Sequence, residues 1–121
     1  MRTVIVDDEQ WMLSYFEYES AGIEGIELIT SFRNPRAALK YLLRNDIDLV
    51  FLDYEMPVMN GEILARRLRD TVLGVKIVFL CASDEHKDKL LRSGLVDYFL
   101  AKPYSSEDLA EVMEKLLGLT C

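Results

Sequence analysis

Cysteine and histidine are scarce in this chain of 121 residues. The only cysteines are Cys81 and Cys121, too few for a tetrahedral zinc site and a poor basis for a disulfide framework. Cys81 lies in an apolar run and reads as buried, no Cys81–Cys121 bridge is expected, and a reducing cytoplasm is the compartment that fits. No apolar stretch approaches the ~20 residues of a membrane helix. Met1-Arg2-Thr3 runs straight into a strand pattern, without the tripartite plan of a signal peptide. Positive charge is in the minority, 14 basic against 21 acidic residues for a net of −7. Gripping nucleic acid or an anionic membrane takes clustered Lys and Arg, so neither is an expected partner of this domain. Repeats, low-complexity tracts and interdomain linkers are missing too. One domain over residues 1–121 is expected, with 118–121 as the start of a linker.

What the chain does have is apolar residues, half of the total, enough for a core without covalent staples. Apolar runs alternate with amphipathic segments five times. Val4–Val6 reads as a strand and Trp11–Glu19 as a helix with Met12, Leu13 and Phe16 inward. Ile26–Thr30 alternates like an edge strand. Asn34-Pro35, a cap followed by a first-turn proline, opens a helix through Leu43. Leu49–Leu52 is a central strand. Asn60-Gly61 precedes a helix with Ile63, Leu64 and Leu68 inward. Lys76–Cys81 is a fourth strand. Asp84 caps a helix through Arg92, which Gly94 ends. Val96–Ala101 is a fifth strand. Ser105 and Asp108 resemble a capping box before a helix that uses Leu109, Val112, Met113 and Leu116. The solid apolar strands at 4–6, 49–52 and 77–80 imply burial on both faces, hence a parallel sheet between helical layers. The fold class is α/β.

Charged residues follow several of these runs. Asp7 and Asp8 close the first, Asp53 closes the third, and Lys102, set against Pro103, follows the fifth. In an open parallel α/β sheet the C-terminal strand ends are where ligands bind. Three carboxylates repel one another and call for a cation. Mg²⁺ takes one or two carboxylates, waters and phosphate oxygens. Asp8 and Asp53 are the natural direct ligands, with Asp7 holding a coordinated water. The competing structural reading of Asp7 and Asp8 is as caps of the first helix. A carboxylate beside a metal can also attack a phosphoryl group. Asp53, alone on the central strand, is the better nucleophile, with Lys102 as its partner or that of the phosphoryl oxygens.

Three segments carry a resemblance. They are Val4-Ile5-Val6-Asp7-Asp8-Glu9, Leu52-Asp53-Tyr54-Glu55-Met56-Pro57-Val58-Met59-Asn60-Gly61 and Ala101-Lys102-Pro103-Tyr104. In content, order and spacing they resemble the signature blocks of bacterial response-regulator receiver domains, over nearly the whole chain. The resemblance implies a flavodoxin-like, doubly wound sheet of five strands in order 2-1-3-4-5, with five helices. It implies Mg²⁺-dependent phosphotransfer to Asp53 from the phosphohistidine of a sensor histidine kinase or phosphotransfer protein. It makes the backbone carbonyl of Glu55 a further metal ligand, and it places any DNA-binding output beyond Cys121.

The chain departs from the family where the fourth strand usually ends in Thr or Ser. Here the residue is Cys81, and a thiol is a weaker donor than a hydroxyl. Ser83, two residues on, is the candidate replacement, or else caps the next helix. The second switch position is Phe99, a ring without a phenol hydroxyl, while Tyr98 points to the opposite face. The resemblance makes the fourth helix, fifth strand and fifth helix the surface for partners or a homodimer, with His86, Lys89, Tyr98 and Tyr104 as contact candidates. On its own, His86 reads as a solvated surface residue. Trp11 reads as a reporter beside the acidic pair or as packing at the helix start. Two alternatives accompany this reading: a phosphate-independent scaffold, which Cys81 favours, and a haloacid-dehalogenase-type phosphatase. The latter usually carries its nucleophile on the first strand, with a second Asp two residues later. Here the strand is the third and Glu55 holds that offset. The expected role is a switch with slow self-dephosphorylation rather than a turnover enzyme.

Overall fold

A computed structural model describes residues 1–57, 59–72 and 74–118. Among the described residues ten elements alternate: β1 (Arg2–Val6), α1 (Gln10–Ser20), β2 (Glu27–Phe32), α2 (Pro35–Leu42), β3 (Leu49–Asp53), α3 (Gly61–Thr71), β4 (Lys76–Cys81), α4 (Lys87–Arg92), β5 (Tyr98–Ala101) and α5 (Ser106–Leu117). The strands form one parallel sheet in order β2-β1-β3-β4-β5. This is the flavodoxin-like arrangement that the resemblance implied. Every residue of β3 is buried, as its unbroken apolar run required.

Period-two alternation divides the strand residues between two cores. Val4, Val6, Val50, Leu52, Ile77 and Phe79 pack under α2, α3 and α4 with Ala38, Leu42, Leu64, Leu68 and Leu90. Ile5, Leu49, Phe51, Val78, Leu80 and Leu100 pack under α1 and α5 with Met12, Leu13, Phe16, Leu109, Val112 and Met113. Local signals start several helices. The Asn34 side chain accepts from the amides of Arg36 and Ala37 ahead of Pro35. The Asn60 side chain accepts from Ile63 N. Ser105 and Asp108 form the expected capping box.

Four local expectations need correction. Ile63 is 46% exposed, and α3 turns Leu64, Ala65 and Leu68 inward instead. The fourth helix is shorter than expected, and His86 rather than Asp84 stands at its N-cap. Ahead of it, Ser83 Oγ accepts from Glu85 N and the Asp84 carbonyl accepts from Lys87 N, so these residues form a turn. Gly94, at a φ of 76°, does follow its end. The fifth strand begins at Tyr98 rather than Val96. There the Asp97 carboxylate accepts the Ile77 amide, a side chain taking a place that a strand carbonyl would hold. Finally, α1 starts at Gln10 with Glu9 as its N-cap, so neither Asp7 nor Asp8 caps it. Gly118 ends α5 in the left-handed conformation. The linker expected over 118–121, with Cys121, otherwise lies outside the described residues.

Candidate functional site

The alternation that builds the cores also sets the charges. Asp7 and Asp53 continue the rows of Ile5 and Phe51 on the α1/α5 face, and Lys102 continues the row of Leu100. The ends of β1 and β3 lie side by side, β4 separates β3 from β5, and the long side chain of Lys102 reaches past the end of β4 so that its ammonium joins the two carboxylates. Nζ donates to Asp7 Oδ2 and to Asp53 Oδ1, each at 3.0 Å. Asp7 is fully buried, and its other oxygen accepts from Glu9 N at 3.0 Å. Lys102 N donates to the Cys81 carbonyl at 2.7 Å, which fixes the lysine against the end of β4.

Carboxylate oxygens of Asp7, Asp8 and Asp53 lie within 4.8 Å of one another. Burial and the Asp7 charge together push the Asp53 carboxyl up to about 7, against the opposing pull of Lys102. Burial pulls Lys102 the other way, but its hydrogen bond to Asp7 and the attraction of Asp53 leave it above the ordinary lysine value. One ammonium is thus shared by a crowd of carboxylates, and the site has room for a second cation. Hard oxygen donors with one half-buried member, Asp8, fit Mg²⁺.

Asp53 and Asp8 open into a cleft of about 610 Å³. The exposed Glu9 and Glu55 line it, together with Cys81, Ala82 and Pro103 and, from α1, Trp11, Met12 and Tyr15. A smaller cleft on the other side of Asp8 is lined by Arg33, Asn34, Pro35 and Pro57, and Arg33 Nε donates to the Asp8 carbonyl at 3.2 Å. The loop after Asp53 closes tightly on α3. A Cβ built on Gly61 would meet the Asp53 carbonyl oxygen at 2.6 Å, so only glycine fits there.

The expected switch residues are placed as follows. Cys81 is buried at the end of β4 and lines the cleft. Burial, with the Asp53 charge, pushes its thiol up to about 12, so it stays protonated at neutral pH. Ser83 is exposed beyond the strand, and its hydroxyl oxygen accepts from Glu85 N. Phe99 is buried in the α2/α3/α4 core and Tyr98 faces the other layer, as the alternation required. Tyr98 Oη accepts from Lys115 Nζ at 2.7 Å, and Lys89 is exposed on α4.

Two of the contact candidates sit elsewhere than expected. His86 is half-buried rather than solvated, its ring 5.4 Å from that of Tyr54. Tyr54 also meets Phe79 edge-on at 5.6 Å, which links the residue after Asp53 to the start of α4. Tyr104 is 1% exposed and is no surface contact. It packs on Tyr15 and Phe16, its carbonyl accepts from the Tyr15 hydroxyl, and its own hydroxyl has no partner. Burial raises the Tyr104 hydroxyl above the ordinary tyrosine range. A sequence reading missed Glu9, Tyr15 and Arg33 as site residues. The spacing of Trp11 and Tyr15, four apart on a helix, was the available signal for one wall.

Asp7, Asp53 and Lys102 thus form a charged strand-end triad on a five-stranded parallel sheet, which defines the chain as an α/β domain with a carboxylate–lysine site at one sheet edge. The chain belongs to the response regulator receiver domain family, whose model matches residues 3–114. It is similar to a response regulatory protein of Vibrio cholerae, 35% identical over 93% of this chain and 43% of that protein. It is also 31% identical to the transcriptional regulatory protein YpdB of Escherichia coli, over 96% of this chain and 47% of that one. The response regulatory domain of MrkE from Klebsiella pneumoniae superposes with a TM-score of 0.86 at 26% identity, covering 98% of this chain and 97% of that one. The chain spans less than half the length of these curated relatives. Receiver domains of two-component systems are signalling switches. No described helix is long and apolar enough to cross a membrane.

Proposed function

We propose that this chain is the phosphoacceptor of a two-component phosphorelay, with Asp53 as the residue that takes the phosphoryl group. The observation that carries the reading is the Lys102 ammonium, 3.0 Å from both Asp7 and Asp53 at the edge of an open cleft. The donor is a phosphohistidine of a sensor kinase or phosphotransfer protein. The Asp53 carboxylate attacks phosphorus, the bond from phosphorus to the donor nitrogen breaks, and an acyl phosphate forms. Lys102 then exchanges its contact with Asp53 oxygen for one with the phosphoryl oxygens, while Asp7 holds it in place. Asp8, Asp53 and the main-chain carbonyl of Glu55 would hold Mg²⁺, with Asp7 acting through a water; the ion would supply neutralising charge for the phosphoryl group.

The product is a changed surface rather than a released molecule. We assign the α4, β5 and α5 face to partner binding or homodimer formation, with Lys89 and Tyr98 as its contacts. Any DNA-binding output lies outside the residues described, and we assign the compartment as the cytoplasm. A second reading, a scaffold that signals without phosphate, rests on Cys81, which stands where the family carries a hydroxyl. One experiment separates the two. Incubation with acetyl phosphate and Mg²⁺ should add one base-labile phosphoryl group, read by intact-mass spectrometry, and Asp53→Asn should abolish it. A variant labelled as fully as the wild type would refute the assignment of Asp53. A wild type that takes no label from acetyl phosphate or from N-phosphoimidazole would favour the scaffold.

A further inference from the structure

We infer that Trp11 and Glu9 determine which phosphodonor this chain accepts, by holding the flat cationic ring of the intact donor in the Asp53 cleft. The inference rests on Asp53 as phosphoacceptor and goes on to name the donor chemistry. Displacement at phosphorus runs roughly in line, so the leaving group departs on the side away from the attacking carboxylate. Asp53 and Lys102 are buried and half-buried members of the cleft lining. The leaving group must therefore lie toward the exposed lining residues, among Glu9, Trp11, Ala82 and Pro103.

The chemistry of that exposed lining is selective. Trp11 is 63% exposed, an unusual position for the one tryptophan of the chain. Its ring is tied down, because Nε1 donates to Glu9 Oε2. A fixed indole face beside a carboxylate attracts a flat cation on two counts, through the ring quadrupole and through charge. Glu55 adds a second negative group to the same cleft, and Lys102 is the one cation among the described lining residues. A phosphoimidazole protonated on its distal nitrogen fits this environment. It transfers phosphorus to Asp53 oxygen as its P–N bond breaks. The bonding electron pair returns to the ring, which leaves as neutral imidazole. Acetyl phosphate offers neither a ring nor a positive charge, and its leaving acetate meets the field of Glu9 and Glu55.

The test compares rates of Asp53 phosphorylation by N-phosphoimidazole and by acetyl phosphate, both with Mg²⁺, followed by intact-mass time courses on the full chain. The ratio of the two rates is the readout, because general damage to the site lowers both. Trp11→Leu should lower the phosphoimidazole-to-acetyl phosphate ratio roughly fivefold, the size of one exposed cation–π contact. Trp11→Phe, which keeps an aromatic face but loses the bond to Glu9, should give a ratio between those of the wild type and Trp11→Leu, and Glu9→Gln should lower it as well. An unchanged ratio in Trp11→Leu and Glu9→Gln overturns the inference and leaves Asp53 as the acceptor. A wild type that takes phosphate from neither donor overturns the proposed function, and this inference with it.

Discussion

Asp53→Asn should make the metal-free protein more stable at pH 8, although it removes an ion-pair partner of Lys102. The carboxyl of Asp53 rises from 3.8 to about 7 in the fold, because burial and Asp7 outweigh Lys102. Between about pH 4 and pH 7 the native state therefore holds a proton that the unfolded chain has lost. Native protons exceed unfolded ones, so stability falls as pH rises through that window. At about 1.4 kcal/mol per pKa unit, the full penalty for ionised Asp53 is about 4 kcal/mol. An asparagine removes the charge and keeps an oxygen for Lys102 Nζ, which also retains Asp7. The side-chain amide recovers part of the penalty, about 1–3 kcal/mol after the site relaxes around it. For a domain of this size that is a rise in melting temperature of about 4–10 °C. Thermal melts in a chelating buffer from pH 4 to pH 8 measure it. The gap between variant and wild type should be near zero at pH 4, grow toward pH 7 and then level off. An Asp53→Asn protein that melts at or below the wild type at pH 8 would refute the argument that repulsion dominates this site.

Three further outcomes follow from the same geometry. Millimolar Mg²⁺ should raise the melting temperature of the wild type, since a ligand of the native state stabilises it by mass action; Asp8→Asn should blunt that rise, and no response in the wild type would count against the metal site. Cys81→Thr should enlarge the beryllofluoride-induced change around Ala82–His86 and Phe99, read as NMR shifts, because a hydroxyl bond to a charged group is worth roughly 1.5–3 kcal/mol and the protonated thiol here is a weaker donor. Gly61→Ala should destabilise the fold by about 1–3 kcal/mol in chemical denaturation, an overpacking cost of ordinary size, since its Cβ would sit 2.6 Å from the Asp53 carbonyl oxygen. A neutral Gly61→Ala would show that the loop after Asp53 yields more easily than its backbone contacts suggest.

The parts legible in the sequence are those where one physical signal decides the outcome. Leu49–Leu52 is apolar at every position, and only a strand covered on both faces uses such a run in an α/β domain. Asn34-Pro35 and Ser105 with Asp108 mark helix starts because their side chains satisfy amides that the helix cannot. Asp7, Asp53 and Lys102 were legible as a group because each ends or follows an apolar run. The strand order came from resemblance, since no local pattern tells β3 to lie beside β1. Errors arose where a side chain took over a backbone role. Asp97 binds the Ile77 amide and delays β5, and Ser83 binds the Glu85 amide and delays α4. Tyr104 was misplaced because a single residue in a turn has no periodicity from which to read its direction. The wall formed by Trp11 and Tyr15 needed knowledge of where α1 leans, which no local pattern along the chain carries.

Tyr104 gives the site a property that its charges alone would not. It is among the largest fully buried side chains and lies two residues after Lys102. The Tyr15 hydroxyl holds its carbonyl, and the rings of Tyr15 and Phe16 hold its own. The segment that carries the lysine is thus moored to α1 by packing. Its position does not depend on the carboxylates that the lysine serves. When the charge on Asp53 changes, the ammonium can trade one oxygen for another while the backbone that carries it stays where packing holds it. That backbone is a fixed post, against which the rest of the strand edge registers each change of state.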